Sequence, residues 1–241
     1  MALLTNLFGK SGNQLEVDPT FLAARVAMRP LEYVKDGRIL GQYAVAQRSG
    51  ELAATIGALG HLASFRWAID DAYAVLLRIR VGWSISAAVT TAVEMNLRAI
   101  IARAFTVDFT TAATAINMAT VTKTNAMRAS MGTSLMGTVG PRISTTAVQS
   151  GQTLTADNAP IGMVVWPGIT SIAQTAAAAT VNMALGTAGI MQTIYECTSP
   201  YQYPVVLSNN EGVLIQPVTA GPATGTFAIY TEWTWAEVEV F

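Results

Sequence analysis

Residues 204–238 read PVVLSNNEGVLIQPVTAGPATGTFAIYTEWTWAEV. The pattern is that of two β-strands and the turn between them. Val205, Val206 and Leu207 open it and Ser208-Asn209-Asn210 punctuates it. Val213, Ile215 and Pro217 then alternate with Leu214, Gln216 and Val218. Thr219 to Gly225 carries two glycines and one proline, a turn signal. The return leg sets Phe227, Ile229, Thr231, Trp233 and Trp235 on one face and Ala228, Tyr230, Glu232, Thr234 and Ala236 on the other. A period of two in β-branched and aromatic residues places successive side chains on opposite faces of a sheet.

The same signal recurs outward from this stretch. Ile39, Gly41, Tyr43, Val45 and Gln47 alternate into Ser49-Gly50, and Phe65-Arg66-Trp67 reads as a short strand ended by an Asp70-Asp71 turn. Tyr73, Val75, Leu77, Ile79 and Val81 face one way, with Arg78 and Arg80 opposite. Val93, Met95, Leu97, Ala99, Ile101, Arg103 and Phe105 repeat the pattern, with Glu94, Asn96 and Arg98 opposite. Arg78 and Arg80 against Glu94 suit cross-strand pairing, and Ser84 to Thr91 reads as the connecting loop. Ala126 to Ser134, Arg142 to Val148, Ile161 to Trp166 and Met191 to Cys197 are further strand candidates. Asp108 to Thr124 has little to pin a core, and Ala173 to Leu185 is open to a helix. Phe21 to Val34 reads either as a short helix broken at Pro30 or as an extended segment.

Many short strands, turns between them and no regular alternation with helices predict an all-β fold. We expect an antiparallel β-sandwich of jelly-roll type with long loops over residues 37–241. Residues 1–36 are expected to form an extended N-terminal arm.

Only 12% of the 241 residues are charged, against about 25% in ordinary soluble domains. Such a surface suits packing against other subunits; a neutral monomer coated in Thr, Ser, Asn and Gln is the other reading. All fourteen Lys and Arg lie at or before Arg142. That contrast points either to association between a basic and an acidic part of neighbouring subunits, or to two halves whose charges intermix within one fold. The bases are scattered, without interleaved aromatics, which argues against a nucleic-acid groove. The uncharged run from Asn158 to Tyr195 is broken by Pro, Gly and Thr and reads as strand and loop, not as a membrane span. No basic-then-apolar signal segment opens the chain. Cys197, the single cysteine, permits no intrachain disulfide and reads as a buried thiol made in a reducing compartment.

Chemistry is sparse. His61 is the only histidine, so no nitrogen–sulfur metal site and no histidine-based triad assembles around it; it reads as a loop histidine. Asp70-Asp71 is the only adjacent carboxylate pair, and a turn explains it. Glu232, Glu237 and Glu239 read as solvated edge residues. Gly132, Gly137 and Gly140 lack the spacing of a phosphate loop and read as a flexible turn. Trp233 and Trp235 share a face with Phe227: either a core stripe or a platform for sugar rings. Tyr195, Tyr201 and Tyr203 are expected to shape a rigid connection beside Pro200 and Pro204, with hydroxyls near the surface. No catalytic, cofactor-binding or metal-binding residue is assigned, and no cofactor is expected.

Phe65-Arg66-Trp67, the strand from Leu76 to Val81, the segment from Met127 to Ser134, the run from Pro204 to Ile215, Thr224-Gly225-Thr226-Phe227 and Trp235-Ala236-Glu237-Val238 together resemble tailed-bacteriophage virion structural proteins. The likeness spans most of residues 20–241. It implies a non-enzymatic cement or decoration subunit on a capsid, or otherwise a tail- or fibre-associated carbohydrate- or receptor-binding module. It implies a homo-oligomer, with a trimer foremost. The implied partners are other copies and the major capsid protein or other virion proteins, without direct contact to nucleic acid or membrane. The implied location is the virion, after synthesis in the bacterial host cytoplasm.

Overall fold

A computed structural model describes residues 39–53, 56–87, 96–119, 132–165, 191–198, 203–221 and 224–239, all within the unit Val34–Phe241. The expected arm, the Phe21–Val34 segment, the Ala173–Leu185 segment, Glu94, and most of the Ala126–Ser134 candidate lie outside the described residues.

Alternating apolar residues settle as strands: β1 (Ile39–Arg48), β2 (Leu52–Ala53), β3 (Ala63–Trp67), β4 (Tyr73–Ala87), β5 (Asn96–Val107) and β6 (Ala113–Ala115). They continue as β7 (Arg142–Ser144), β8 (Thr153–Val165), β9 (Gln192–Glu196), β10 (Val205–Leu207), β11 (Glu211–Pro217) and β12 (Thr226–Val238). There is no helix among the described residues. The strands form two antiparallel sheets. The first runs β1–β12–β4–β10, with β2 also on β12 and β9 also on β4; the second runs β6–β7–β3–β11–β5–β8.

The opening stretch is therefore three strands, not two. β10 and β12 belong to the first sheet and β11 to the second, so the chain crosses between sheets at both turns. Asn210, with a φ of 60°, takes the first turn in the left-handed region that asparagine tolerates. Period two reports which face a residue occupies but not which strand lies beside it.

The sheets share one core. The alternating face of β12 fills it as expected: Phe227, Ile229, Trp233 and Trp235 are all buried there. From the second sheet, the Phe65 ring lies 5.7 Å from Trp233 and 5.2 Å from Trp235, centroid to centroid. Each such ring buries about 150–250 Å², a gross contribution of about 4–6 kcal/mol before ordering entropy is subtracted. A smaller cluster of Ile100, Ala102, Phe105, Phe109 and Leu214 buries the other side of β5 and β11. Phe109 anchors it, so the segment after Asp108 does pin a core.

Two phase changes escape a strict alternation. Thr234 pairs with Arg78 but Trp235 pairs with Leu76, which leaves Leu77 as the extra residue of a β-bulge. Leu76 consequently joins Ile79 and Val81 in the main core, whereas Val75 and Leu77 do not. In β5, Ala104 sits at a φ of 48°. Leu97, Ala99 and Ile101 face the main core, and beyond that residue Phe105 joins the second cluster. Ser84 to Ala87, expected as loop, continue β4 because β12 extends far enough to pair with them. The expected pairing of Arg78 and Arg80 with Glu94 falls on a residue outside the described ones; β4 and β5 lie in different sheets, and both arginines meet Glu232.

β8 and β9 bring the two sheets into backbone contact. A Cβ on Gly162 would lie 1.8 Å from the Ile194 carbonyl oxygen, a clash with backbone that no rotamer relieves. Gly162→Ala is expected to destabilise the fold by about 1–3 kcal/mol, the usual range for overpacking. Urea-unfolding midpoints check it; a variant as stable as the parent contradicts this close approach.

Candidate functional site

Most residues singled out in the sequence have a definite place. Asp70 and Asp71 form a turn, and the Asp70 carboxylate accepts from the Asn209 side-chain amide. Trp233 and Trp235 are 0% exposed, so neither offers a ring face to a sugar. Tyr195 is buried too, and its hydroxyl accepts from the Val205 N–H at 2.7 Å instead of lying free at the surface. Tyr203 is 89% exposed and Tyr201 lies outside the described residues. Cys197 is half-buried against the main core. Gly137, at a φ of 59°, sits in the turn over residues 135–138.

Glu239, just beyond β12, is exposed as expected, but Glu232 and Glu237 depart from expectation. β12 is an interior strand, flanked by β1 and β4, and its acids are not solvated edge residues. Glu232 bridges two arginines of β4, at 2.7 Å to Arg78 and 3.2 Å to Arg80. Glu237 is 0% exposed. Its carboxylate accepts from the Ser134 hydroxyl at 2.5 Å, the Leu135 N–H at 2.9 Å and the Trp235 indole N–H at 3.0 Å. Burial raises its pKa above the ordinary 4.5, with these three hydrogen bonds pulling the other way. The neutral acid fits the same frame, because a Glu237 hydroxyl can turn its proton toward Ser134 Oγ while both N–H donors keep an acceptor. Nearby, the Tyr43 hydroxyl shares its one proton between the carbonyls of Leu40, at 3.1 Å, and Gly132, at 3.0 Å. Burial, with the Glu237 charge added, pushes that phenol up to about 12. Glu237 and Tyr43 thus fasten the loop over residues 132–140 to β1 and β12. Strand parity carried the signal: residue 237 follows 233 and 235 on the inward face.

His61 also belongs to a network. Arg98 donates to Gln216 Oε1 from Nε at 3.2 Å and from Nη2 at 2.9 Å. Arginine only donates, so this amide orientation is fixed, and Gln216 Nε2 donates to His61 Nδ1 at 3.0 Å. The ring proton of neutral His61 therefore sits on Nε2, and the ring packs 5.1 Å from Phe109, centroid to centroid. Burial lowers the His61 pKa below 6.5. The folded state thus prefers the neutral ring, and stability falls as pH drops from 6.5 through the folded value. We expect His61→Leu to remove this acid-side loss, checked by denaturation midpoints at about pH 8 and about pH 5. The same loss in both proteins contradicts the network.

The basic and acidic halves intermix within the chain. Arg78 and Arg80 meet Glu232, and Arg103 meets Asp157 at 3.3 Å and Glu211 at 2.7 Å. The exposed Arg103 pairs contribute little to stability. Apolar side chains stand outside the core: Leu135 and Val139 on the fastened loop, Met163 on β8, and Leu59 in a turn. Among the described residues, no group of three or more His, Cys, Asp or Glu is placed to hold a metal ion, and no helix is long and apolar enough to cross a membrane. No family model, curated protein or solved structure matches this chain.

Proposed function

We propose that this chain is a non-enzymatic structural component of a tailed-bacteriophage particle: a cement or decoration protein that stabilises the capsid through contacts between subunits. Its two sheets form a β-sandwich of jelly-roll type, assembled as a homo-oligomer, with a trimer the preferred state. Its partners are other copies of itself and the major capsid protein, and its location is the virion. The family resemblance supplies the particle; one structural observation carries the mode of action. Glu237, Trp233 and Trp235 are engaged inside the fold, while Leu135, Val139 and Met163 are presented outward on a fastened loop and a strand. Apolar side chains on a rigid frame suit broad contacts with another protein surface. The low charge content points the same way.

Sedimentation of the purified chain alone and with capsids that lack it tests this reading. A discrete oligomer that co-sediments with capsids is expected. A monodisperse monomer at high concentration with no affinity for capsids overturns it.

A further inference from the structure

Three polar side chains on the inward face of the first sheet have buried atoms with no hydrogen-bond partner among the described residues: Gln47 Oε1, Thr231 Oγ1 and Trp233 Nε1. Thr231 and Trp233 are 0% exposed and Gln47 is 8% exposed. They are neighbours by register. Gln47 stands directly opposite Thr231 across the β1–β12 ladder, and Trp233 follows two residues on, opposite Val45. Side chains opposite one another on one face have Cβ atoms about 4.5–5.5 Å apart. Val81 and Ile79, opposite Thr231 and Trp233 on β4, give the group an apolar wall.

The orientation of Gln47 is fixed from outside the group. Its Nε2 donates to the Pro141 carbonyl at 2.7 Å, so its Oε1 is an acceptor with nothing donating to it among the described residues. The indole of Trp233 is a donor only, and the Thr231 hydroxyl both donates and accepts. One acceptor, one donor and one group of either kind match the valences of a water molecule. A buried water typically makes about three hydrogen bonds to polar groups that otherwise lack them.

We propose that Gln47, Thr231 and Trp233 form an internal hydration site, where one water donates to Gln47 Oε1, accepts from Trp233 Nε1 and bonds the Thr231 hydroxyl. The site joins β1 to β12 through side chains and ties both to the segment carrying Pro141. It binds water and not a larger ligand, because its walls are the packed core.

A crystal structure of the full chain, at a resolution that shows ordered solvent, tests the site directly. Solvent density within about 3.2 Å of at least two of the three atoms is expected. A direct Gln47–Thr231 hydrogen bond, or a dry contact among the three side chains, overturns the proposal. Thr231→Val gives an independent measure in solution, since it keeps the shape and removes the hydroxyl. With the water in place, the folded-to-unfolded ratio drops about tenfold, as for loss of a buried hydrogen-bond partner. An unchanged or raised ratio overturns the proposal, because removing a hydroxyl that bonds nothing is neutral or stabilising.

Discussion

Trp235→Ala is expected to remove about 3–5 kcal/mol of stability, the range for deleting a large aromatic from a packed interior. Domains of this kind have only about 5–15 kcal/mol in total. The indole is fully buried between the sheets, with its ring 5.7 Å from Tyr43 and 5.2 Å from Phe65. It also donates to Glu237, so the alanine variant leaves a cavity and strips one donor from a buried carboxylate. Guanidinium unfolding of parent and variant measures the difference, and Trp235→Phe separates its two parts. Phenylalanine restores most of the volume but not the N–H, so it is expected to recover more than half of the loss. A Trp235→Ala protein that keeps its stability and loses only binding to a glycan contradicts the placement of this ring in the core.

Glu237→Ala is the second large effect, at about 2–5 kcal/mol. The substitution leaves the Leu135 N–H, the Trp235 indole N–H and the Ser134 hydroxyl without their acceptor; one buried group so orphaned costs about 1–3 kcal/mol, and within a single network the three costs do not add in full. The loop over residues 132–140 is expected to loosen first, seen as faster amide exchange at Leu135 and Met136 than in β12. The pH dependence has a definite sign. The folded pKa of Glu237 lies above 4.5 because burial disfavours the charge. Well below 4.5 the folded and unfolded states are both protonated and ionisation makes no difference. As pH rises past 4.5 the unfolded chain ionises first, so stability falls until pH passes the folded value and then levels off. Glu237→Gln is expected to lose that decline. It costs less than the alanine variant because an acceptor oxygen remains. A decline of equal size in Glu237→Gln contradicts the assignment to this carboxylate.

The sequence made the inward face of β12 readable from Phe227 to Trp235, because these residues keep a strict period of two and that face lines the main core. The same rule misread Val75, Leu77 and Phe105. A bulge at Leu77 and a left-handed residue at Ala104 shift the phase, and neither is marked by a glycine or a proline. Sheet partners were not readable either. β11 and β12 look like a hairpin in sequence, yet each pairs with strands from far earlier in the chain. Glu237 was misjudged by its charge. Its parity with Trp233 and Trp235 pointed inward, but an acid is rarely buried unless donors surround it, and two of its three donors, Ser134 and Leu135, come from about a hundred positions away. The Arg98–Gln216–His61 chain was hidden for the same reason, being assembled from three separated segments.

The proposal that this chain holds a virion together is tested most directly by an electron cryo-microscopy map of purified phage particles that carry it. The map is expected to show two packed antiparallel sheets in stoichiometric copies, lodged between capsid subunits, with residues 132–140 or β8 at the contacts. Particles whose density is fully accounted for by other chains, with this one absent by mass spectrometry, would contradict it.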